Sequence, residues 1–207
     1  MSSAADLRVV VVVAHPEPAS LTAALAREAA RTAASLGASV TVHDLYADGF
    51  DPRMPATEVG TTEFADGATR AYAADVLAAD ALVLVHPVWF FHAPAILKGW
   101  VDRVLRDGVV YELGPGGKTV GLLRAQRALV VNTANSSEEV EGALGEPLER
   151  FWRDVVFGPA GVEDVARLRF AKVLGSPESR RKEWLSSVRD AVTRMLMGVS
   201  PHVPRNR

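Results

Sequence analysis

At 207 residues the chain has room for one domain with a sizeable core and is short for two, so residues 1–199 read as a single domain and 200–207, with two prolines, as a flexible tail. Apolar residues make up 48% and charged residues 23%, the balance of a globular protein rather than a disordered or fibrous one. A net charge of −2 offers no basic footprint for a nucleic acid, and the lack of any cysteine excludes disulfides, thiolate catalysis, iron–sulfur clusters and Cys-bound zinc. Redox chemistry in such a chain needs a bound cofactor. Met1–Asp6 is a short polar lead without the basic and apolar regions of a secretory signal, which points to the cytoplasm. The most apolar stretch, 81–97, is interrupted by His86, Pro87, His92 and Pro94 and falls short of the roughly 20 residues of a membrane span.

Leu7–Ala14 is a run of Val and Leu with one charge near its start, the pattern of a strand buried on both faces of a parallel sheet. Leu21, Leu25, Ala29 and Leu36 recur at helical spacing up to Gly37, and Ser39–Asp44 alternates as a second strand. Residues 47–67, rich in Pro, Gly, Asp and Thr, read as a long loop before a helix over 68–77. Ala81–Val85 is a third strand, followed by a loop over 87–93. The next helix starts at Pro94, with Ile96, Leu97, Trp100, Val101 and Val104 as its apolar face. A Gly-rich excursion over 108–121 contains Tyr111. The fourth strand, Ala128–Val131, runs into the polar segment Asn132–Ser137. One helix is expected over 140–157, a last strand over 165–173, and an amphipathic helix over 178–197. Five strand signals separated by helices predict a doubly wound α/β fold with a parallel sheet, and the flavodoxin-like order 2-1-3-4-5 fits best. A dinucleotide-binding Rossmann turn would carry G-x-G-x-x-G after the first strand. The residues there are His15-Pro16-Glu17-Pro18-Ala19-Ser20, with no glycine.

In such sheets ligands bind beyond the carboxyl ends of the strands, where the strand order reverses. Three segments qualify. His15–Leu21 brings a histidine, the Ser20 hydroxyl and a helix N-terminus together, which suits a phosphate; alternatively Ser20 caps the helix and His15 closes a turn. Pro87-Val88-Trp89-Phe90-Phe91-His92 sets three consecutive aromatics at a strand end, where they can stack on a flat ring or form a core cluster or dimer contact. Thr133-Ala134-Asn135-Ser136 offers donors to a polar ring edge, or a cap for the following helix. His43 and His86 lack metal-ligand spacing, and no metal is expected.

At Val13-Ala14-His15-Pro16-Glu17 with Ser20-Leu21, at Asp44-Leu45-Tyr46, and most specifically at Pro94-Ala95-Ile96-Leu97-Lys98-Gly99-Trp100-Val101-Asp102-Arg103-Val104, the sequence resembles the NAD(P)H dehydrogenase (quinone) family along almost its full length. The resemblance implies a flavoprotein that passes two electrons from NAD(P)H to a quinone or similar flat acceptor by a ping-pong route. It implies non-covalent FMN or FAD held by His15, Ser20 and Leu21 at the phosphates, by Pro87, Val88, Trp89, Phe90 and Phe91 around the isoalloxazine, and by Thr133, Ala134, Asn135 and Ser136 at the pyrimidine edge. It also implies a homodimer, with Tyr111, Phe91 and His92 lining the acceptor pocket.

Three departures stand out. The strand-end run is Asn132-Thr133-Ala134-Asn135-Ser136 where many members have a Thr-Thr-Gly-Gly-like run. The Tyr/His pair that stabilises reduced flavin in relatives has no counterpart after Ser137, where Glu138, Glu139 and Glu141 follow. A common glycine after the aromatic loop is His92, whose imidazole is a candidate donor to the flavin or acceptor. Two other functions fit the same fold, a flavodoxin-type electron carrier and a regulatory dimer without catalysis. The weak net charge argues against the first, since such carriers dock their partners through strongly acidic surfaces.

Overall fold

The computed structural model describes residues 7–198. The expected polar lead Met1–Asp6 and the flexible tail 200–207 lie outside the described residues. Five parallel strands build the main sheet in the order β2-β1-β3-β6-β7. They are β1 (Arg8–Val13), β2 (Ser39–Asp44), β3 (Ala81–Pro87), β6 (Arg127–Thr133) and β7 (Asp164–Phe170), so the order matches the 2-1-3-4-5 expected of the main strands. The glycine-rich excursion forms a separate antiparallel hairpin, β4 (Tyr111–Leu113) with β5 (Thr119–Gly121).

Alternation along the central strands divides the core into two layers. Val10, Val12, Leu82, Leu84 and Val130 face α2 (Gly67–Ala78) and α3 (Ala95–Val104). Val9, Val11, Val13, Val83, Val85 and Val131 face α1 (Leu21–Ser35) and α7 (Glu178–Met197). Because successive strand side chains point to opposite faces, an uninterrupted valine run supplies both layers at once. Within α3, Gly99 lets the helix backbone touch the 47–66 segment: a Cβ there would lie 2.3 Å from both the Cβ and the carbonyl oxygen of Pro52. The glycine of the most diagnostic sequence block is thus a packing requirement.

The continuous helix expected over 140–157 is broken. The chain forms α4 (Glu138–Ala143), turns through Gly145 (φ 76°) and Glu146 (φ 54°), restarts at α5 (Pro147–Arg150), widens into a π-helical segment over Phe151–Phe157 and ends in α6 (Gly158–Ala160). Left-handed backbone cannot continue a helix, while proline at the first position is well suited to begin one. The last strand stops at Phe170 rather than reaching 173, with Lys172 left-handed (φ 55°) just beyond it. Conversely, β6 continues through Asn132 and Thr133, which pair with His86 and Pro87 of β3.

Register levels the strand ends. Val13 pairs with Val85, Pro87 with Thr133, and Thr133 with Phe170. The ladder continues a step further through Val88 N–H to Thr133 C=O (2.8 Å) and Ala134 N–H to Phe170 C=O (2.8 Å). The segments after β1, β3 and β6 therefore emerge side by side at one edge.

Candidate functional site

At that carboxyl edge lies an open groove of about 470 Å³, within the size range of small-molecule and cofactor sites. It is lined by the three segments singled out in the sequence: His15, Ser20 and Leu21; Pro87 through Phe91; and Thr133 through Ser136. Two further lining residues, Thr22 and Val173, were not anticipated. Thr22 follows Ser20 and Leu21 in the first turn of α1, so its neighbours pointed to it. Val173, expected at the end of the last strand, instead lies in the loop after β7.

The first wall is the N-terminus of α1. Ser20 caps α1 through Oγ, which accepts from the Ala23 N–H at 3.1 Å, and its own N–H is bound to Glu17 C=O at 3.1 Å. The N–H groups of Leu21 and Thr22 find no protein acceptor among the described residues, as expected in a first helical turn. His15 Nδ1 lies 3.0 Å from the Glu17 N–H, from which it accepts in the Nε2–H tautomer, and 3.2 Å from the Glu17 C=O, to which it donates in the Nδ1–H tautomer; either way both contacts hold the ring at the mouth of the helix. Capping and phosphate binding, posed as alternatives by the sequence, are thus compatible: the cap uses one amide and leaves two.

The second wall is a strained aromatic turn. Trp89 and His92 exchange both backbone hydrogen bonds at 3.0 Å, and the two residues between them, Phe90 and Phe91, are left-handed (φ 49° and 58°). Asn-Gly normally occupies such a turn, and each non-glycine residue there costs about 1–2 kcal/mol. Phe90 stands fully exposed and Trp89 is exposed as well.

The third wall is polar. Thr133 Oγ1 bonds Thr22 Oγ1 at 2.7 Å, tying β6 to α1, and Asn135 Oδ1 accepts from Leu174 N–H at 2.9 Å. Beneath it, His86 is wholly buried. Its Nδ1 donates to the Pro87 carbonyl at 2.9 Å, while Nε2 accepts from Asn132 Nδ2 at 2.9 Å and Trp152 Nε1 at 3.1 Å. Burial pushes the pKa of His86 down to about 4, and the nearby Arg167 charge acts in the same direction. This histidine is a neutral strut beneath the aromatic loop, in keeping with a structural role.

Two expected pocket residues stand apart from the groove. Tyr111 begins β4, packed against the core layer of α2 and α3. His92 closes the aromatic turn, with its ring 4.5 Å from that of Phe151. Neither lines the groove of its own chain.

The polar set suits a flavin mononucleotide portion: free amides beside an imidazole for a phosphate, flat aromatics for a ring, and a hydroxyl- and amide-bearing edge for its polar side. No helix among the described residues is long and apolar enough to cross a membrane.

Residues 7–194 match the model of the family described as having a flavodoxin-like fold. The chain is 32% identical over 160 residues to ribosyldihydronicotinamide dehydrogenase [quinone] of Pongo abelii, covering 68% of this chain and 69% of that protein. Two solved structures share the fold. An NAD(P)H:quinone oxidoreductase from Methanothermobacter marburgensis superposes with a TM-score of 0.78 at 24% identity, covering 92% of this chain and 97% of that one. An FMN-dependent NADH-azoreductase from Bacillus anthracis, solved with FMN, gives 0.72 at 17%, covering 92% and 99%. The chain belongs to the flavodoxin-like fold family, with NAD(P)H dehydrogenase (quinone) proteins as its relatives.

Proposed function

We propose that this protein is a cytoplasmic, homodimeric flavoenzyme that uses NAD(P)H to reduce quinones or similarly flat electrophiles. The observation that carries this reading is the meeting of a helix N-terminus, an aromatic wall and a polar edge in one groove at the switch of strand order. The names of the relatives agree with it, and the FMN of the azoreductase structure favours a flavin.

In this reading Leu21 and Thr22 amides, with His15 and Ser20, hold the phosphate. Trp89, Phe90 and Phe91, with the backbone of Pro87 and Val88, bind the ring, and Thr133 through Ser136 meet its pyrimidine edge. A flavin held by these residues would supply the redox chemistry, hydride acceptance from NAD(P)H and two-electron reduction of the quinone to the quinol, with the second quinol proton from solvent. The open groove lets nicotinamide and acceptor occupy the same face in turn. Phe90, uncovered in the single chain, is surface for a second copy, and Tyr111 joins the acceptor pocket across that interface. His92, beside the turn, is the candidate donor to the acceptor.

The test is the visible spectrum of the purified protein with FMN or FAD, followed anaerobically on adding NADH or NADPH and then menadione. Bands that bleach with the nicotinamide and return with the quinone are expected. A protein that takes up neither flavin overturns the reading; one that binds flavin but is never reduced by a nicotinamide leaves an electron carrier.

A further inference from the structure

Directly behind the polar wall lies a buried ionic cluster. Arg167 and Arg169 alternate on β7, so their side chains leave the same face of the strand. Their side chains are only 6% and 10% exposed, although each residue as a whole is partly buried, and they share one carboxylate, Glu141 of α4, whose side chain is 1% exposed. Arg167 Nη2 donates to Glu141 Oε1 at 2.7 Å, while Arg169 Nε pairs with Oε2 closely but out of line for a hydrogen bond. Glu146 and Glu149 approach only Arg167, at 3.6 and 3.9 Å, and both are more exposed. Exposed Glu139 lies on the Ser137 side, where Lys172 and Arg169 both lower its pKa after hydrogen bonding to Ser137. Water screens the exposed charges, so the buried part of the cluster has two cations for one anion.

Arg169 passes this charge to the groove. Its Nη2 donates to Ser137 C=O at 2.8 Å, to Ser136 C=O at 3.2 Å and to Ser136 Oγ at 3.3 Å, and Ser136 lines the groove. A guanidinium only donates, so Ser136 Oγ accepts from it and its own proton is left to point elsewhere, with the groove open in front. Arg169 Nη1 is buried without a hydrogen-bond partner among the described residues, so the guanidinium is only partly satisfied.

We propose that Arg169, acting through the Ser136 hydroxyl, is the positioning residue that stabilises the reduced form of the flavin, in the role left vacant by the missing Tyr/His pair. This rests on the flavin reading above. Reduction places negative charge on the pyrimidine edge, and a cation behind a hydroxyl donor there binds the reduced form more tightly than the oxidised one. By linkage that preference raises the midpoint potential. A merely structural arginine would weaken both forms equally and leave the potential unmoved.

The experiment is the midpoint potential and the dissociation constants of oxidised and reduced flavin, using FMN or FAD consistently, for wild type, Arg169→Gln, Arg169→Lys and Ser136→Ala. For Arg169→Gln, binding of the reduced form should weaken about tenfold more than that of the oxidised form, a shift of about −30 mV for a two-electron couple. Arg169→Lys should recover most of this, and Ser136→Ala should shift the same way by less. If Arg169→Gln does not fold, Ser136→Ala decides. An unchanged potential in Ser136→Ala, or in Arg169→Gln where it folds, overturns the proposal. Failure of the wild type to bind either flavin overturns the flavin reading instead, and is seen before any variant is made.

Discussion

His86 illustrates how one buried residue couples the candidate site to solution conditions. In the unfolded chain its imidazole titrates near the ordinary value of 6.5; in the fold, burial holds it down to about 4. Between those values the unfolded state binds a proton that the native state refuses, so stability rises with pH across the window and is lost as pH falls from roughly 6.5 toward 4. At 1.36 kcal/mol per unit, full loss is about 3 kcal/mol. His43, lowered chiefly by burial, adds to the same trend. Urea unfolding at pH 5 and 7 should therefore show lower stability at pH 5, and His86→Gln should reduce that difference. An unaltered difference would place the effect on other groups. At the same scale, Phe90 and Phe91 hold left-handed backbones that are unfavourable for stability, a cost that the proposed function assigns to presenting aromatic surface to a ring or a second copy.

Among the elements, α3 shows how a sequence block becomes a constraint. Leu97, Trp100, Val101 and Val104 bury its apolar face, and Gly99 brings its backbone onto Pro52. Gly99→Ala would drive a methyl into a carbonyl oxygen and a proline ring carbon, neither of which a side-chain rotation can move. The expected cost is about 3 kcal/mol, seen as a lower urea midpoint with an unchanged slope. A neutral Gly99→Ala would mean that the helix and the 47–66 segment are not in such contact. The broken helix after β6 belongs here too: the single helix expected over 140–157 passes over Gly145 and Pro147, residues whose chemistry ends and restarts helices. Periodicity reports which face is buried, and a turn between two short helices can keep that face.

Over the whole molecule, the long 47–66 segment is held by charge. Arg103 of α3 donates to Glu58 at 2.6 and 3.1 Å, to Asp66 at 2.5 Å and to the Asp51 carbonyl at 2.7 Å, with Glu58 buried throughout. Hydrogen bonding from Arg103 keeps Glu58 below its usual pKa. Removing one partner leaves a buried carboxylate poorly matched by Arg106 at 3.5 Å. Arg103→Met should cost about 3–5 kcal/mol and open the segment to limited proteolysis, with Glu58→Gln added to it restoring part of the loss. Equal resistance of wild type and Arg103→Met to protease would disprove this anchoring. What the sequence by itself determined is the architecture and the three segments that meet in one groove, because valine runs, helix caps and strand-end loops are local patterns with local physical causes. Only the tertiary structure decided the rest. Nothing local in the sequence links Arg167, Arg169 and Glu141; the β6–β7 pairing and the placement of α4 bring them together behind Ser136. Arg103 and Glu58 stand 45 residues apart in the chain, too far for any local pattern to pair them. Long-range pairing of charges follows from which strands and helices become neighbours, a property no single segment of the chain carries.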